Sequence, residues 1–156
     1  MPRSPSQRYE LRVRFDAPLP FVYRWCTDYR ADDPERENEN YQRRILTRSK
    51  REVVFEDLAT ESGGWRWSRH TVSLTPPDRW HSDSIGNYRE YSLDYTLRPL
   101  SGRRTELLLT ARRRPALLGG PNPSAARFRL DAGRGWKQLR RSLERDYLRS
   151  RRRARK

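Results

Sequence analysis

The sequence predicts an α+β protein in which a curved antiparallel sheet of six to seven strands wraps around a long C-terminal helix, with two short helices after the first strand. Three observations predict it. Residues 9–15 and 41–114 contain runs of strand length in which apolar and polar side chains alternate. Proline-led segments within 18–40 have helical spacing. Apolar side chains recur every three or four residues from 128 to 147.

Length and composition favour a single folded domain. The chain has 156 residues, of which 33% are hydrophobic and 35% charged. This is a lean composition for a core, but 5 Trp, 8 Tyr and 4 Phe exceed what a disordered chain would carry. We divide the chain into a flexible N-terminus at 1–7, a domain at 8–148 and a basic tail at 149–156.

The first strand and the two short helices are predicted as follows. Apolar residues occupy alternate positions in Tyr9–Phe15, which is typical of a half-buried strand. Pro18 and Pro20 suit the start of a helix. Asp33 is then expected to cap a second helix whose first residue is Pro34.

Six consecutive strands follow, separated by short polar or Gly/Pro-rich turns. Their predicted ranges are 41–49, 52–60, 65–74, 79–85, 88–100 and 104–114. In the third range the apolar residues change face midway, from Trp65 and Trp67 to Val72 and Leu74. A β-bulge within 68–70 would bring all four to the inner face.

The last element is one amphipathic helix. Asn122 suits its N-cap and Pro123 its first residue. Gly133 and Gly135 lie inside it, where they would allow a bend or a close approach to the sheet. Residues 149–156 have no apolar face and are expected to fray. A sheet curled around this helix would leave a cavity between the two.

Several short motifs occur in an order that resembles the START / polyketide-cyclase superfamily, whose fold is called helix-grip. The motifs are Ala17-Pro18, Val22-Tyr23, Asp28, Gly63-Gly64, Trp67-Ser68-Arg69, Pro76-Pro77, Pro99, Gly102 and Thr105. The resemblance covers residues 8 to 148. It implies the fold and leaves the activity open, because the superfamily includes lipid and quinone carriers, hormone receptors, aromatase/cyclases and ribosome-associated proteins.

The leading hypothesis is a protein that binds or transports a hydrophobic or aromatic small molecule, such as a lipid, a quinone or a polyketide-like compound. Aromatic side chains suit such a cavity because they bury large areas in fixed shapes. Strand parity and helix phase select the wall residues, although the tryptophans could instead fill a thin core or stack on bases. The expected wall residues are Trp67, Tyr95, Leu107, Leu109, Phe128, Ala132 and Trp136.

The second hypothesis is an enzyme of the polyketide aromatase/cyclase type, which the residues favour less than binding. The resemblance implies a polar group that polarises a ketone while the cavity walls hold a reactive chain. Arg69, His70 and Tyr95 are the candidates. An inward-facing Arg69 would need an acidic partner, because an unpaired buried guanidinium is costly.

A third hypothesis concerns charge. The net charge is +15, and residues 134–156 account for +9 of it, with 11 Lys and Arg against 2 Asp and Glu. The tail could be an unpartnered helix end, or it could bind RNA, the ribosome or an anionic membrane surface. The candidate polyanion-binding residues are Arg149, Arg151, Arg152, Arg153, Arg155 and Lys156.

The remaining features point to a cytoplasmic protein without a cofactor. Cys26 is the only cysteine, so an internal disulfide cannot form, and it is expected to be a small core residue. We find no apolar run suited to a signal peptide or a membrane span. His70 and His81 are too few for a metal site, so no metal is expected.

Overall fold

The computed structural model describes residues 5–61 and 63–156, apart from the side chain of Glu61. The elements follow in the order β1 (Gln7–Phe15), α1 (Leu19–Thr27), α2 (Asp33–Glu37), β2 (Tyr41–Arg48), β3 (Glu52–Glu61), β4 (Gly64–Thr75), β5 (Arg79–Gly86), β6 (Arg89–Leu100), β7 (Arg104–Pro115) and α3 (Ala125–Ala154). This confirms the predicted fold class.

The seven strands form one curved antiparallel sheet in the order β1-β7-β6-β5-β4-β3-β2. Strands β2 to β7 therefore make a meander, because each of them pairs with its neighbour in sequence. β1 closes the far edge by pairing with β7, with Tyr9 opposite Ala111 and Phe15 opposite Thr105. The long helix α3 packs on the sheet beside β1.

The core lies between the concave face of the sheet and the helices. Its larger part includes Phe15, Val22 and Leu143, each less than 2% exposed. A smaller cluster joins the N-terminal half of α3 to the sheet, where the rings of Phe128 and Tyr9 stack at 4.2 Å. Because the helix is anchored at both clusters, the space between its C-terminal half and α1 and α2 has a fixed outline.

The ends of α3 differ from the prediction. The N-cap is Ser124, whose Oγ accepts a hydrogen bond of 3.1 Å from the Arg127 amide. Asn122 instead ties the preceding loop to the sheet, since its Oδ1 accepts a bond of 2.9 Å from Arg113. The helix also continues to Ala154, six residues beyond the predicted domain boundary at 148, and the expected fraying of this end stays a prediction.

The segment predicted to be flexible, 1–7, overlaps β1 at Gln7, and its residues 1–4 lie outside the described residues, so its flexibility stays a prediction. The N-cap of α2 is Asp32, one residue earlier than predicted. The turn at 62–64 includes Ser62, which also lies outside the described residues.

The predicted bulge within 68–70 is wrong, because β4 keeps an unbroken register with both β3 and β5. The irregularity lies in β2, between Ile45 and Thr47. Even-numbered residues of β4 therefore face inward along the whole strand. Trp65 faces outward and is 60% exposed.

Among the residues that the structure describes, we find no helix with both the length and the apolar character needed to cross a membrane.

Candidate functional site

A cavity of about 930 Å³ lies between the sheet, the two short helices and the C-terminal half of α3. Its inner end is formed by β5, β6 and the middle of α3. Its outer end is formed by α2 and the last turns of α3, where Arg149 and Arg153 are exposed. The lining residues are Phe21, Trp25, Cys26, Asp28, Tyr29, Asp33, Arg36, Glu37, Tyr41, Arg43, Trp80, Tyr95, Trp136, Leu139, Ser142, Arg145, Asp146, Arg149, Ser150 and Arg153.

Three aromatic rings form the inner end of this main cavity. Trp80 and Tyr95 are cross-strand partners on β5 and β6, and their rings stack at 4.6 Å with an angle of 7°. Trp136 of α3 lies 6.3 Å from Tyr95, tilted by 57°. The Trp80 and Tyr95 rings therefore pack face to face on each other, and the Trp136 ring lies at an angle to this pair.

Tyr95 and Trp80 each have a polar group, a hydroxyl and an indole N–H, and the buried Trp80 Nε1 has no hydrogen-bond partner among the described residues. Burial raises the pKa of Tyr95 well above its ordinary value, so the phenol stays protonated at neutral pH. It can therefore donate a hydrogen bond to a carbonyl or hydroxyl oxygen in the cavity.

A second cavity of about 320 Å³ lies farther along the concave face, over β3, β4 and β6. Asp57, Ser68 and His70 are among its polar lining residues. Tyr41 and Arg43 of β2 line both cavities and separate them.

Arg43 is held in this position from several sides. Its side chain is 10% exposed and forms two bonds with Asp57, of 2.8 and 3.0 Å, and one of 2.8 Å with Asp33. The guanidinium also lies 4.2 Å from the centre of the Phe55 ring. Burial lowers the pKa of Arg43, but the ion pairs with Asp57 and Asp33 raise it by more, so it stays charged.

His70 occupies the wall of the second cavity beside this group. Its ring stacks on Phe55 at 4.6 Å, and its Nε2 lies 2.9 Å from Ser68 Oγ and 3.7 Å from Asp57 Oδ2. The pKa of His70 is lowered to about 4, chiefly by burial; Asp57 raises it, and nearby arginines lower it. The imidazole is therefore neutral at pH 7.

No protein-family profile matches the chain, and no curated protein sequence matches it. Solved structures do. The Zhui aromatase/cyclase from Streptomyces sp. R1128 has a TM-score of 0.68 at 17% identity, covering 93% of this chain and 95% of that one. Ara h 8.0201 has a TM-score of 0.69 at 11% identity, covering 92% and 99%. A START superfamily protein from Mycobacterium smegmatis has a TM-score of 0.64 at 17% identity, covering 91% and 97%.

The chain has a helix-grip fold. The resemblance to the START / polyketide-cyclase superfamily predicted from sequence motifs is thereby confirmed at the level of the fold. The identities lie below 20%, so they do not carry an activity over to this chain.

Two of the predicted residues lie on the convex face of the helix-grip sheet. In β4, Trp67 pairs with Leu58 and Arg69 with Glu56 across β3, on the side opposite His70. Arg69 is 47% exposed and bonded to Glu56 at 2.7 Å. Trp67 borders the second cavity but not the main one. Both residues face outward because the alternation of β4 is not interrupted by the predicted bulge.

Tyr95 and Trp136 are the two predicted wall residues that line the main cavity. Apart from Trp67, the others are part of the core. Leu107 and Leu109 are buried in β7, with exposures of 0% and 4%. Phe128 and Ala132 pack against the sheet in the smaller cluster. Strand parity and helix phase correctly predicted that these four residues face the interior. They could not predict which part of the interior is filled by side chains and which part is the cavity.

The basic tail divides into two sets. Arg149 and Arg153 line the outer end of the main cavity. Arg151, Arg152, Arg155 and Lys156 are exposed and do not line it. Polyanion binding by either set remains a prediction.

The sequence interpretation missed the residues that α1, α2 and β2 contribute, above all Trp25, Tyr29, Tyr41 and Arg43. The sequence did contain a signal for these residues, because aromatic side chains cluster at both ends of the acidic segment 32–39. Cys26 also lines the cavity, and burial raises its pKa to about 12, so its thiol is unreactive at neutral pH.

Proposed function

We propose that the protein binds a hydrophobic, preferably flat aromatic, small molecule in the main cavity and acts as a carrier for it. The observation that supports this most directly is the stacked pair of Trp80 and Tyr95 at the inner end of a space of about 930 Å³. Such a volume lies within the usual range for small-molecule sites, about 300–1,000 Å³.

The chemistry of the inner end favours one class of molecule. A planar ring would pack against the stacked pair of Trp80 and Tyr95 and against Trp136, because aromatic rings favour offset-stacked and edge-to-face contacts. A carbonyl or hydroxyl group on that ring would accept or share a hydrogen bond with the Tyr95 hydroxyl. Quinones and polyketide-like aromatics have both features, whereas a simple acyl chain has only the apolar one.

The test is a substitution that obstructs the cavity. Ser142 lines it from the middle of the C-terminal half of α3 and is half-buried. We expect Ser142→Trp to weaken the binding of neutral 1-anilinonaphthalene by about tenfold, because the new ring occupies space that the probe needs. Fluorescence titration measures the affinity, and native mass spectrometry of the purified protein shows any molecule that copurifies.

The matched control is Arg141→Trp, which adds the same side chain one residue away at an exposed position that does not line the cavity. It should bind the probe as the unmodified protein does. If the unmodified protein does not bind the probe, or if both variants bind it equally well, the proposal is wrong.

A polyketide aromatase/cyclase activity is the second candidate. It is supported by the polar chain Asp33–Arg43–Asp57–His70 that borders both cavities. A pKa of about 4 makes His70 a weak base at neutral pH, which is why we place binding first. In an enzyme His70→Gln should lower turnover at unchanged ligand affinity, whereas Arg69→Gln, on the convex face, should leave both unchanged. A carrier would show no turnover in any variant.

Two further predictions from the sequence remain proposals. A polyanion such as RNA could bind the exposed basic residues at the end of α3, and the protein could reside in the cytoplasm. Neither is needed for the carrier proposal.

A further inference from the structure

The side of α3 that faces the main cavity changes in chemical character along its length. Its inner part carries Trp136 and Leu139, and Ser142 follows. Beyond that point the lining is charged or polar, through residues 145, 146, 149, 150 and 153. These positions recur at three- and four-residue steps and so form one continuous stripe. The stripe is apolar at the inner end of the cavity and basic at the outer end.

The charges at the outer end are only partly balanced. Asp146 accepts from Arg36 at 3.4 Å, lies 3.7 Å from Arg145, and also accepts from the Trp25 indole at 3.0 Å. The side chains of Arg149 and Arg153, by contrast, form no ion pair or hydrogen bond with any residue in the described part of the chain.

The other acids of the cavity do not neutralise these two guanidinium groups. Asp33 is bonded to Arg43, and Glu37 accepts a hydrogen bond from the Tyr41 hydroxyl. Asp28 at the end of α1 is the remaining acid in the lining. The lining therefore contains five arginines and four acids, and the surplus positive charge is located at Arg149 and Arg153.

We propose that the ligand of the main cavity is an amphiphilic organic anion whose acid group binds Arg149 and Arg153 while its apolar body occupies the aromatic inner end. This inference rests on the proposed function, since it specifies the ligand class for the same cavity. The two arginines are four residues apart on α3, which places their side chains on the same side of the helix.

Arginine suits this role because its planar guanidinium bonds a carboxylate, sulfonate or phosphate through two parallel hydrogen bonds. In the proposed pose the acid group remains at the solvent-facing end, so it keeps part of its hydration. The apolar rings lose theirs against Trp80, Tyr95 and Trp136. Both ends of the ligand thus meet matching surroundings, and the orientation of the ligand is determined.

The test uses two probes with the same aromatic body. 1-Anilinonaphthalene is neutral, and 1-anilinonaphthalene-8-sulfonate carries one added acid group. We expect the unmodified protein to bind the sulfonate more tightly than the neutral probe. The double variant Arg149→Gln/Arg153→Gln should weaken sulfonate binding about five- to tenfold and change neutral-probe binding less than twofold. Both residues are exposed, so the fold should not change, and circular dichroism checks this.

The matched control is Arg151→Gln/Arg155→Gln, which removes the same charge with the same spacing on the same helix. Neither residue lines the cavity. This control should weaken sulfonate binding less than twofold. An equal loss in both double variants would mean that the sulfonate binds the basic helix end nonspecifically and would overturn the inference.

The remaining outcomes separate the two proposals. If the neutral probe binds in the cavity but the sulfonate gains nothing from Arg149 and Arg153, this inference is wrong and the carrier proposal stands. If neither probe binds, both are wrong.

Discussion

His70 shows at the scale of a single residue how the cavity wall influences stability. The ring is stacked on Phe55, bonded to Ser68 and 22% exposed. Its pKa is lowered from an ordinary value of 6.5 to about 4, mainly because burial disfavours the charged form. The folded protein therefore binds a proton at this site less readily than the unfolded chain does.

This predicts a loss of stability in acid. Between pH 6.5 and about 4 the unfolded state is protonated at His70 and the folded state is not, so the free energy of unfolding falls as the pH falls through that window. From pH 7 to pH 5 the contribution of His70 should decrease by about 2 kcal/mol. Urea unfolding of the protein and of His70→Gln at both pH values measures it, and the variant should lose less stability.

His81 provides the control because its pKa changes in the opposite direction. It accepts or donates bonds of 2.8 Å to Asp94 and 3.0 Å to Asp83 on the convex face. Partial burial lowers its pKa, but these bonds raise it by more. Its contribution is therefore present below pH 6.5 and is lost as the pH rises through the raised pKa. His81→Gln should retain the acid sensitivity, and a variant His70→Gln that retained it too would contradict the assignment.

At the scale of the element, α3 contains two glycines that the packing does not explain. No neighbouring atom lies within 4 Å of the position that a Cβ would occupy at Gly133 or Gly135. The expected close approach to the sheet is therefore absent at these two positions. Each glycine lowers helix stability by roughly 0.5–1 kcal/mol relative to alanine, because the unfolded chain loses more freedom on folding.

We accordingly expect Gly133→Ala and Gly135→Ala each to raise the free energy of unfolding by about 0.5–1 kcal/mol. For a chain of this length the melting temperature should rise by about 2–4 °C per kcal/mol. Thermal denaturation followed by circular dichroism measures the change.

The contrasting variant is Gly119→Ala in the loop before α3. A Cβ there would overlap the backbone carbonyl oxygen of Tyr88, so the loop would have to move. This substitution should destabilise the protein. Destabilisation by the two helix variants as well would contradict the open space around both glycines.

The elements were predictable because their signals are local. Strand alternation, turn residues and the three- to four-residue repeat of α3 depend on neighbours in sequence, and they placed every strand and helix. The helix caps were harder, since Ser124 and Asn122 are equally good capping residues. The choice depends on Arg113 in β7. Its side chain donates a hydrogen bond to Asn122 Oδ1, so Asn122 is bonded to the sheet and Ser124 caps the helix.

At the scale of the whole molecule, the net charge of +15 predicts attraction to polyanions. If the exposed set at the end of α3 binds RNA, then replacing Arg151, Arg152, Arg155 and Lys156 with Gln should weaken binding. It should also reduce the slope of log affinity against log salt by roughly 0.7 for each phosphate that the variant no longer neutralises. Filter binding to single-stranded RNA at several salt concentrations measures both quantities.

The double variant Arg149→Gln/Arg153→Gln serves here as the comparison, because those residues line the cavity rather than the exposed side of the helix end. It should keep most of the RNA affinity. Unchanged affinity and slope in the fourfold variant would show that the tail does not bind RNA.

The cavity was less predictable than the fold because its chemistry is non-local. Tyr95 and Trp136 follow from parity and helix phase, but Arg43 does not. Its position depends on Asp33 in α2 and Asp57 in β3, which are 10 and 14 residues away and reach it only after the hairpin and α2 have formed. Trp67 was placed inside by a bulge that β4 lacks.

The Arg43 side chain, which lines both the main cavity and the second cavity, would limit the length of a bound ligand. A molecule extending from Trp80 into the space over β4 would have to push the Arg43 side chain aside. Doing so would leave the carboxylate of Asp57 without its arginine partner and would remove one of the two arginines that pair with Asp33, which is unfavourable in a largely buried setting. If the main cavity binds a ligand as proposed, we expect it to hold compact ring systems on one side of Arg43 and to exclude rigid rod-shaped compounds that would need both cavities.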